Sequence, residues 1–592
     1  MGSGAKTKTM NCISPAVTVT TKSPQRHQFP ETVAVKLGIA LLNLGFLLLP
    51  GVVTPKPAVG AERLYISYGP LEFSVPVSAL ETYAKEGRVE AELTTYANYL
   101  DEKQLAQLRR FLTTRADITP VAVSQFLYSP QGEILLTRIG EVIQTKANQP
   151  GFYAIRAAMI QAAADPQGLT LLNVLKKFPT YGIQINSARG FEIVEQLTTQ
   201  IRQTQVAIAA VQTQFAAEAS TSTSVNFSQL SDLRQPGSVK WTKQTITLRD
   251  TRRGRNFPTD IYLPQLGGRT APVIVISHGL GNDRTAFEYL AQHLASYGFA
   301  VAVPEHPGSN ARRVAELITG LAREVSPPRE FVDRPFDVKF LLDQLETSFR
   351  GQLNLQQVGV IGQSFGGYTA LALAGAQLNF EKLQADCLNL EESLNVSLLL
   401  QCQALLLPPG QYQLQDQRIK AAIAINPVDS SLFGQEQLSQ IKVPLMMVAS
   451  SADTVTPAIS EQLQPFTWLT TPNKYLVVME RATHFSTIQD TLSGTGVVPL
   501  PPQALGPDPA IAFGYMKALS LAFCKTYVAN DSTYLPYLSS SYAQVLSEYL
   551  MPLNVVQSLT PSQLSGETNG STPETTPSPD GSTPTPTPSP QP

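Results

Sequence analysis

The chain has 592 residues, 43% of them apolar and 15% charged, with a net charge of -2. That length implies more than one folded unit, with ample apolar material for buried cores. Without a basic excess, charge gives no reason to expect a nucleic-acid partner.

The first segment reads as an export signal. Lys22, Arg26 and Lys36 precede an uncharged run from Leu37 to Val53, and the small-residue stretch Ala58-Val59-Gly60-Ala61 follows. This is the charged, apolar and small-residue order of a secretory peptide. Residues 1–61 are therefore expected to be a signal peptide, with a periplasmic or secreted product. An uncleaved membrane anchor is the alternative, although Pro50 interrupts a run already short for spanning. Four cysteines are present. Cys12 falls in the signal and Cys524 stands alone. Cys387 and Cys402 enclose a short loop and are the disulfide candidate in an oxidising compartment, with two free thiols as the alternative.

Residues 62–205 carry apolar positions at helical spacing and contain neither His nor Cys. A mainly α-helical domain of unknown role is expected there, acting as a lid, a dimer face or a partner-binding surface. Residues 206–238 are rich in Ala, Ser, Thr and Gln and read as a linker, with a helical first half left open. From Val239 the pattern turns strand-like. An antiparallel pair opens the region. Apolar runs at 271–277, 299–304, 357–362, 419–425, 443–449 and 474–480 then alternate with helical stretches. Buried apolar strands between helices imply an α/β fold, a mostly parallel sheet with helices on both faces, over residues 239–559. Residues 560–592 form a Pro/Ser/Thr-rich tail too polar to order itself.

Within the α/β region, Gly362-Gln363-Ser364-Phe365-Gly366 matches G-x-S-x-G, with a strand before it and a helix after it. That context marks the nucleophile elbow of an α/β hydrolase, with Ser364 as nucleophile. The fold's chain order of Ser, acid, His selects His484 as base. Asp453, after the strand at 443–449, is the acid. Asp429, after the preceding strand, is the alternative. Two backbone N–H donors are needed for an oxyanion. Phe365 supplies one, and Leu280 of the glycine-bearing loop Ser277-His278-Gly279-Leu280-Gly281 supplies the other. His278 and His306 are expected at the pocket rim, and His293 is expected to be structural. No metal site or cofactor motif is visible, so neither is expected.

The runs VIVISHGLG (273–281), LAQHLASYGFAVAVPEH (290–306) and GQSFGG (362–367) resemble the plasma-type platelet-activating-factor acetylhydrolase family. The resemblance implies calcium-independent cleavage of acyl esters, often short or oxidised acyl chains on phospholipids, with the same roles for Ser364, Leu280 and Phe365. Two departures stand out. Asn426 occupies the place of that family's acid, so that Asp453 falls one strand later, as in dienelactone-hydrolase-like enzymes. Gln363 stands where a His is usual. The segment before residue 206 resembles a domain of unknown function that accompanies such hydrolases in photosynthetic bacteria. An apolar insert at 379–416 reads equally as an acyl-facing lid and as an extra packed helix.

The sequence thus points to a serine hydrolase acting on carboxylic esters, either acyl esters of lipids or short-chain acyl esters. Contact with a membrane surface is an expected accompaniment. A peptidase of the same fold and an inactive binding protein are the competing readings.

Overall fold

Nine strands account for the alternating and apolar runs after Val239. They form one sheet in the order β13-β12-β11-β10-β9-β7-β8-β6-β5. The strands are β5 (Trp241–Asp250), β6 (Arg255–Pro264), β7 (Ala271–Ser277), β8 (Ala300–Pro304), β9 (Leu353–Gln363), β10 (Ile419–Ile425), β11 (Leu445–Ser450), β12 (Lys474–Met479) and β13 (Leu553–Val556). Those from β8 to β12 in the sheet are mutually parallel, and β6 and β13 pair antiparallel to their inner neighbours. The computed structural model describes residues 60–221, 225–390, 392–489 and 502–565. Almost all of the expected signal peptide, and the tail beyond residue 565, lie outside the described residues. No helix among the described residues is long and apolar enough to cross a membrane.

The strand order places the site. From β7 the chain runs to β8 on one side, then returns so that β9 pairs with the other side of β7. Ligands of open α/β sheets bind at such a switch point, at the carboxyl ends of the strands. Two apolar clusters sandwich the sheet, one containing Val273, Val275, Val358 and Val360, the other Ile274, Ile276, Ile361 and Ile423. Alternate residues of one strand thus serve opposite layers, which is why these strands read as unbroken apolar runs.

The amino-terminal region is mainly helical, as expected, but it is not helical throughout. A four-stranded sheet, order β2-β1-β4-β3, runs through it. Its strands are β1 (Arg63–Tyr68), β2 (Leu71–Pro76), β3 (Ile143–Thr145) and β4 (Gly182–Asn186). Around it lie α1 (Val77–Glu86), α2 (Ala91–Ala97), α3 (Glu102–Thr113), α4 (Pro120–Leu127), α5 (Pro130–Val142), α6 (Phe152–Ala164) and α7 (Leu171–Lys177). Gly69, at φ 57°, makes the tight turn that returns β1 as β2. Of the linker expected at 206–238, the first half takes the helical form that the sequence left open. Helix α8 (Ser187–Thr221) runs 35 residues and buries Ala207 and Val211, one turn apart, against the α/β core. Its polar positions fasten it further. Gln212 Nε2 donates to Glu480 Oε1 at 2.6 Å, and Gln214 Nε2 donates to the Ser558 hydroxyl at 2.7 Å.

Candidate active site

Ser364 joins β9 to helix α12 (Phe365–Ala374) with φ 56° and ψ −117°. A non-glycine residue in that region is strained and marks a site where the surroundings enforce it. The flanking glycines show how the elbow is packed. A Cβ on Gly362 would lie 1.9 Å from the Gly366 carbonyl oxygen, and one on Gly366 would lie 2.0 Å from that of Ser277. No side chain fits either place, which is the physical content of the motif. The serine's N–H donates to Ile425 O at 2.8 Å, tying the elbow to β10. Every residue of α12 is buried.

His484 and Asp453 arrive from the ends of β12 and β11. The imidazole Nδ1–H donates to Asp453 Oδ2 at 2.7 Å. The rest of that carboxylate is equally well held. Oδ1 accepts the N–H groups of Val455 and Thr456, each at 2.8 Å, and Oδ2 accepts the Thr456 hydroxyl at 2.8 Å. With Nδ1 carrying the proton, Nε2 presents its lone pair. Gln363 Nε2 donates to the His484 carbonyl at 3.1 Å and lies 3.3 Å from the ring Nε2, bracing the histidine from the elbow itself.

Asp429 is placed differently. It is fully buried with both carboxyl oxygens unpartnered, and Glu461 lies beside it. Burial first, and then the Glu461 charge, push its pKa well above the usual carboxylate value. Glu461 itself accepts the N–H groups of Asp429 and Ser430, the Ser430 hydroxyl, and the side-chain amides of Asn395 and Gln401. Asn426, at φ 41°, donates from Nδ2 to Ser450 Oγ at 3.0 Å, and its carbonyl oxygen lies 3.3 Å from the Thr456 hydroxyl oxygen. It serves as scaffold for the acid loop.

Leu280 is half-buried beside the elbow, because Ser277 pairs with Gly362 across β7 and β9. Its N–H has no acceptor among the described residues, whereas the next one, on Gly281, donates to Ser309 O at 2.9 Å. Phe365 opens α12, where first-turn N–H groups lack intrahelical partners. Neither N–H thus has an internal acceptor among the described residues.

The rim expected from His278 and His306 is corrected, since both rings are buried. His278 Nε2 accepts the His306 N–H at 3.0 Å, so the ring must be neutral there. His306 contacts the Ser277 hydroxyl and Asp337, each at 3.0 Å. Burial, and then the nearby Arg334 charge, hold both histidines well below the usual imidazole range. Beneath them, in helix α11 (Glu330–Ser348), lies Arg334, which the sequence did not single out. Fully buried, it donates to the His278 carbonyl at 2.7 Å and to Ser309 Oγ at 2.9 Å, and its guanidinium lies 4.6 Å from the Phe365 ring centre. Burial brings it down to about 9, against the pull of Glu330 and Asp337. One cation thus fastens the loop bearing Leu280 to the ring beside Ser364. Thr456 and Gln363 were likewise unmarked as functional. Only the Asp-x-x-Thr spacing, typical of a carboxylate folding back on the next N–H groups, hints at Thr456.

Cys387 and Cys402 are joined by a disulfide within the insert. Leu398, Ala404 and Leu407 of this segment are buried while Leu388 and Leu406 are exposed, so the insert packs on the core and shows an apolar outer edge. Among the described residues no group of three His, Cys, Asp or Glu side chains is placed to hold a metal.

Known proteins match in two stretches. A family described as "alpha/beta hydrolase of unknown function (DUF1400)" matches residues 60–186, and one described as "alpha/beta hydrolase fold" matches residues 272–383. The second stretch holds both the loop of Leu280 and the elbow. Platelet-activating factor acetylhydrolase of Canis lupus familiaris is 28% identical across 19% of this chain and 34% of its own length. The chain thus spans about a third of that relative. Together with the nine-stranded sheet, these matches make the chain an α/β-hydrolase fold that resembles the acetylhydrolase.

Proposed function

We propose that the protein is a serine hydrolase of carboxylic esters, acting on acyl esters of lipids or on short-chain acyl esters through an acyl-enzyme on Ser364. The observation that carries this reading is the strained Ser364 elbow beside a histidine whose Nδ1–H is bonded at 2.7 Å to a fully hydrogen-bonded carboxylate. Ser364 Oγ attacks the acyl carbon as His484 Nε2 takes its proton. Asp453 holds the tautomer and stabilises the imidazolium. The carbonyl oxygen becomes an oxyanion against the N–H groups of Leu280 and Phe365. His484 then returns the proton to the leaving alcohol, and water attacking the acyl-enzyme repeats the cycle. The acetylhydrolase likeness supports an ester of this class. The Cys387–Cys402 disulfide supports export to an oxidising compartment, and the exposed leucines of the insert support contact with a lipid surface.

The test is hydrolysis of p-nitrophenyl esters from acetyl to palmitoyl by wild type and Ser364→Ala, with fluorophosphonate labelling alongside. The expected result is labelling and turnover in wild type, and a loss of up to about a million-fold in kcat without the hydroxyl. A wild type that neither labels nor turns over any ester in the series overturns the reading.

A further inference from the structure

We propose that the amino-terminal module positions the oxyanion loop through one short helix, with Thr119 and Val121 as the positioning residues. The meaning given to the loop rests on the ester-hydrolase reading, while the contact itself does not.

The loop after β7 is anchored sideways. Gly281 N–H donates to Ser309 O, and Ala311 N–H donates to Asn282 O, both at 2.9 Å. Residues 279–282 and the start of helix α10 (Ala311–Ile318) therefore move as one piece. Their packing is close. Gly281 has φ 75°, and a Cβ built there would meet Val314 Cγ2 at 3.1 Å. At its first turn α10 is capped by Asn310, whose Nδ2 also donates to Glu305 at 2.8 Å. Eight residues long, and with only Ala311 and Leu317 buried, α10 is too short to stabilise itself.

Its far end rests on the module. Thr119 Oγ1, at the cap of α4, donates to Ile318 O at 3.2 Å. Gly320, at φ 83°, comes so near α4 that a Cβ there would lie 2.6 Å from Val121 Cγ1. Helix α4 is itself rooted, with Val123 and Leu127 buried in the module's core. A continuous path thus leads from the module's core through α4 and α10 to the backbone flanking Leu280. Oxyanion donors act over a few tenths of an ångström, so a brace on α10 controls how well the loop is pre-set. This gives the module a part in turnover although it carries no catalytic group.

The test uses full-length Val121→Asp and Thr119→Ala, with Val121→Ile as the conservative control. Val121 is 55% exposed, so an aspartate there disturbs the contact more than the fold. The measurements are kcat and KM on p-nitrophenyl acetate, affinity for a trifluoromethyl ketone, and hydrogen exchange at the Gly281 and Ala311 amides. Val121→Asp is expected to lower kcat about ten-fold with KM nearly unchanged. The ketone should weaken by a like factor, and both amides should exchange faster. Thr119→Ala should show a smaller effect of the same kind, and Val121→Ile should restore wild-type values. Unchanged exchange and ketone affinity in both disruptive variants overturns the proposal. Should wild type cleave no ester, the hydrolase reading fails, and exchange at Gly281 and Ala311 alone decides whether the brace exists.

Discussion

Asp453 occupies a position built to keep a carboxylate charged, with two backbone N–H groups, a hydroxyl and an imidazole all donating to it. Asp429 occupies the opposite kind of place, buried without donors beside Glu461. The two should therefore respond differently to the same change. Asp453→Asn leaves the shape intact but turns an amide toward Nδ1 and favours the wrong tautomer, so kcat on p-nitrophenyl acetate should fall about 10⁴-fold. Asp429→Asn replaces a carboxyl already driven toward its neutral form, and kcat should stay within a few-fold of wild type. Steady-state kinetics on both variants checks this, and the reverse pattern would move the acid to Asp429. At this scale the placement of Ser364, Asp453 and His484 just past three strands of one sheet was legible, because each follows an apolar run. Arg334 was not, because its role comes from contacts with segments distant in the chain. His278 and His306 were misplaced for a related reason. A histidine just after a strand looks the same in sequence whether it turns outward or, as here, is drawn inward by a neighbour's N–H and by Asp337.

Among the elements, the parallel strands were readable to within one or two residues except at the start of β9, four residues earlier than its apolar run, because burial on both faces leaves uninterrupted apolar runs. Four-residue β13 was missed, being too short to establish a period. The second half of α8 is open to two readings in sequence, helix or linker, because its Ala- and Gln-rich stretch has a weak apolar stripe, with only Ala207 and Val211 fully buried. The insert left two readings open in sequence. Its burial now shows a packed element, fastened at Gln401 by the amide's bonds to Glu461 and the N–H groups of Ser431 and Leu432 accepted on Oε1. Next to Gln401, the Cys387–Cys402 bridge spans 15 residues. A loop of that size corresponds to about 3 kcal/mol in the chain-entropy account. Cys387→Ser paired with Cys402→Ser should lower the urea midpoint by an amount matching that figure. Coincident unfolding curves with and without the bridge would show that the Gln401–Glu461 bonds alone hold the insert.

Across the whole molecule, buried ionisable groups set how stability follows pH, and they pull in opposite directions. Asp333, Asp337 and Asp429 have raised pKa values, chiefly through burial, so their contribution is fully present below the ordinary carboxylate value and is lost as pH rises through their raised ones. The buried histidines do the reverse. His293, in the helix Glu288–Ser296, has no partner on Nε2 and is brought down to about 4, mainly by burial and further by Lys517. Unfolded, a histidine titrates near 6.5. Between those values the unfolded chain binds the extra proton, so stability falls as pH falls, by up to about 1.4 kcal/mol per unit for this one residue. His293→Gln keeps a polar side chain of similar reach and removes the titration. Urea unfolding of both proteins at several pH values isolates the term, because the carboxyl contributions cancel in the comparison. The difference between them should be constant above about pH 6.5 and should move by about 3 kcal/mol in the variant's favour as pH falls to 4. A difference that stays the same at every pH would mean that the folded protein accepts the proton on His293 as readily as the unfolded chain does.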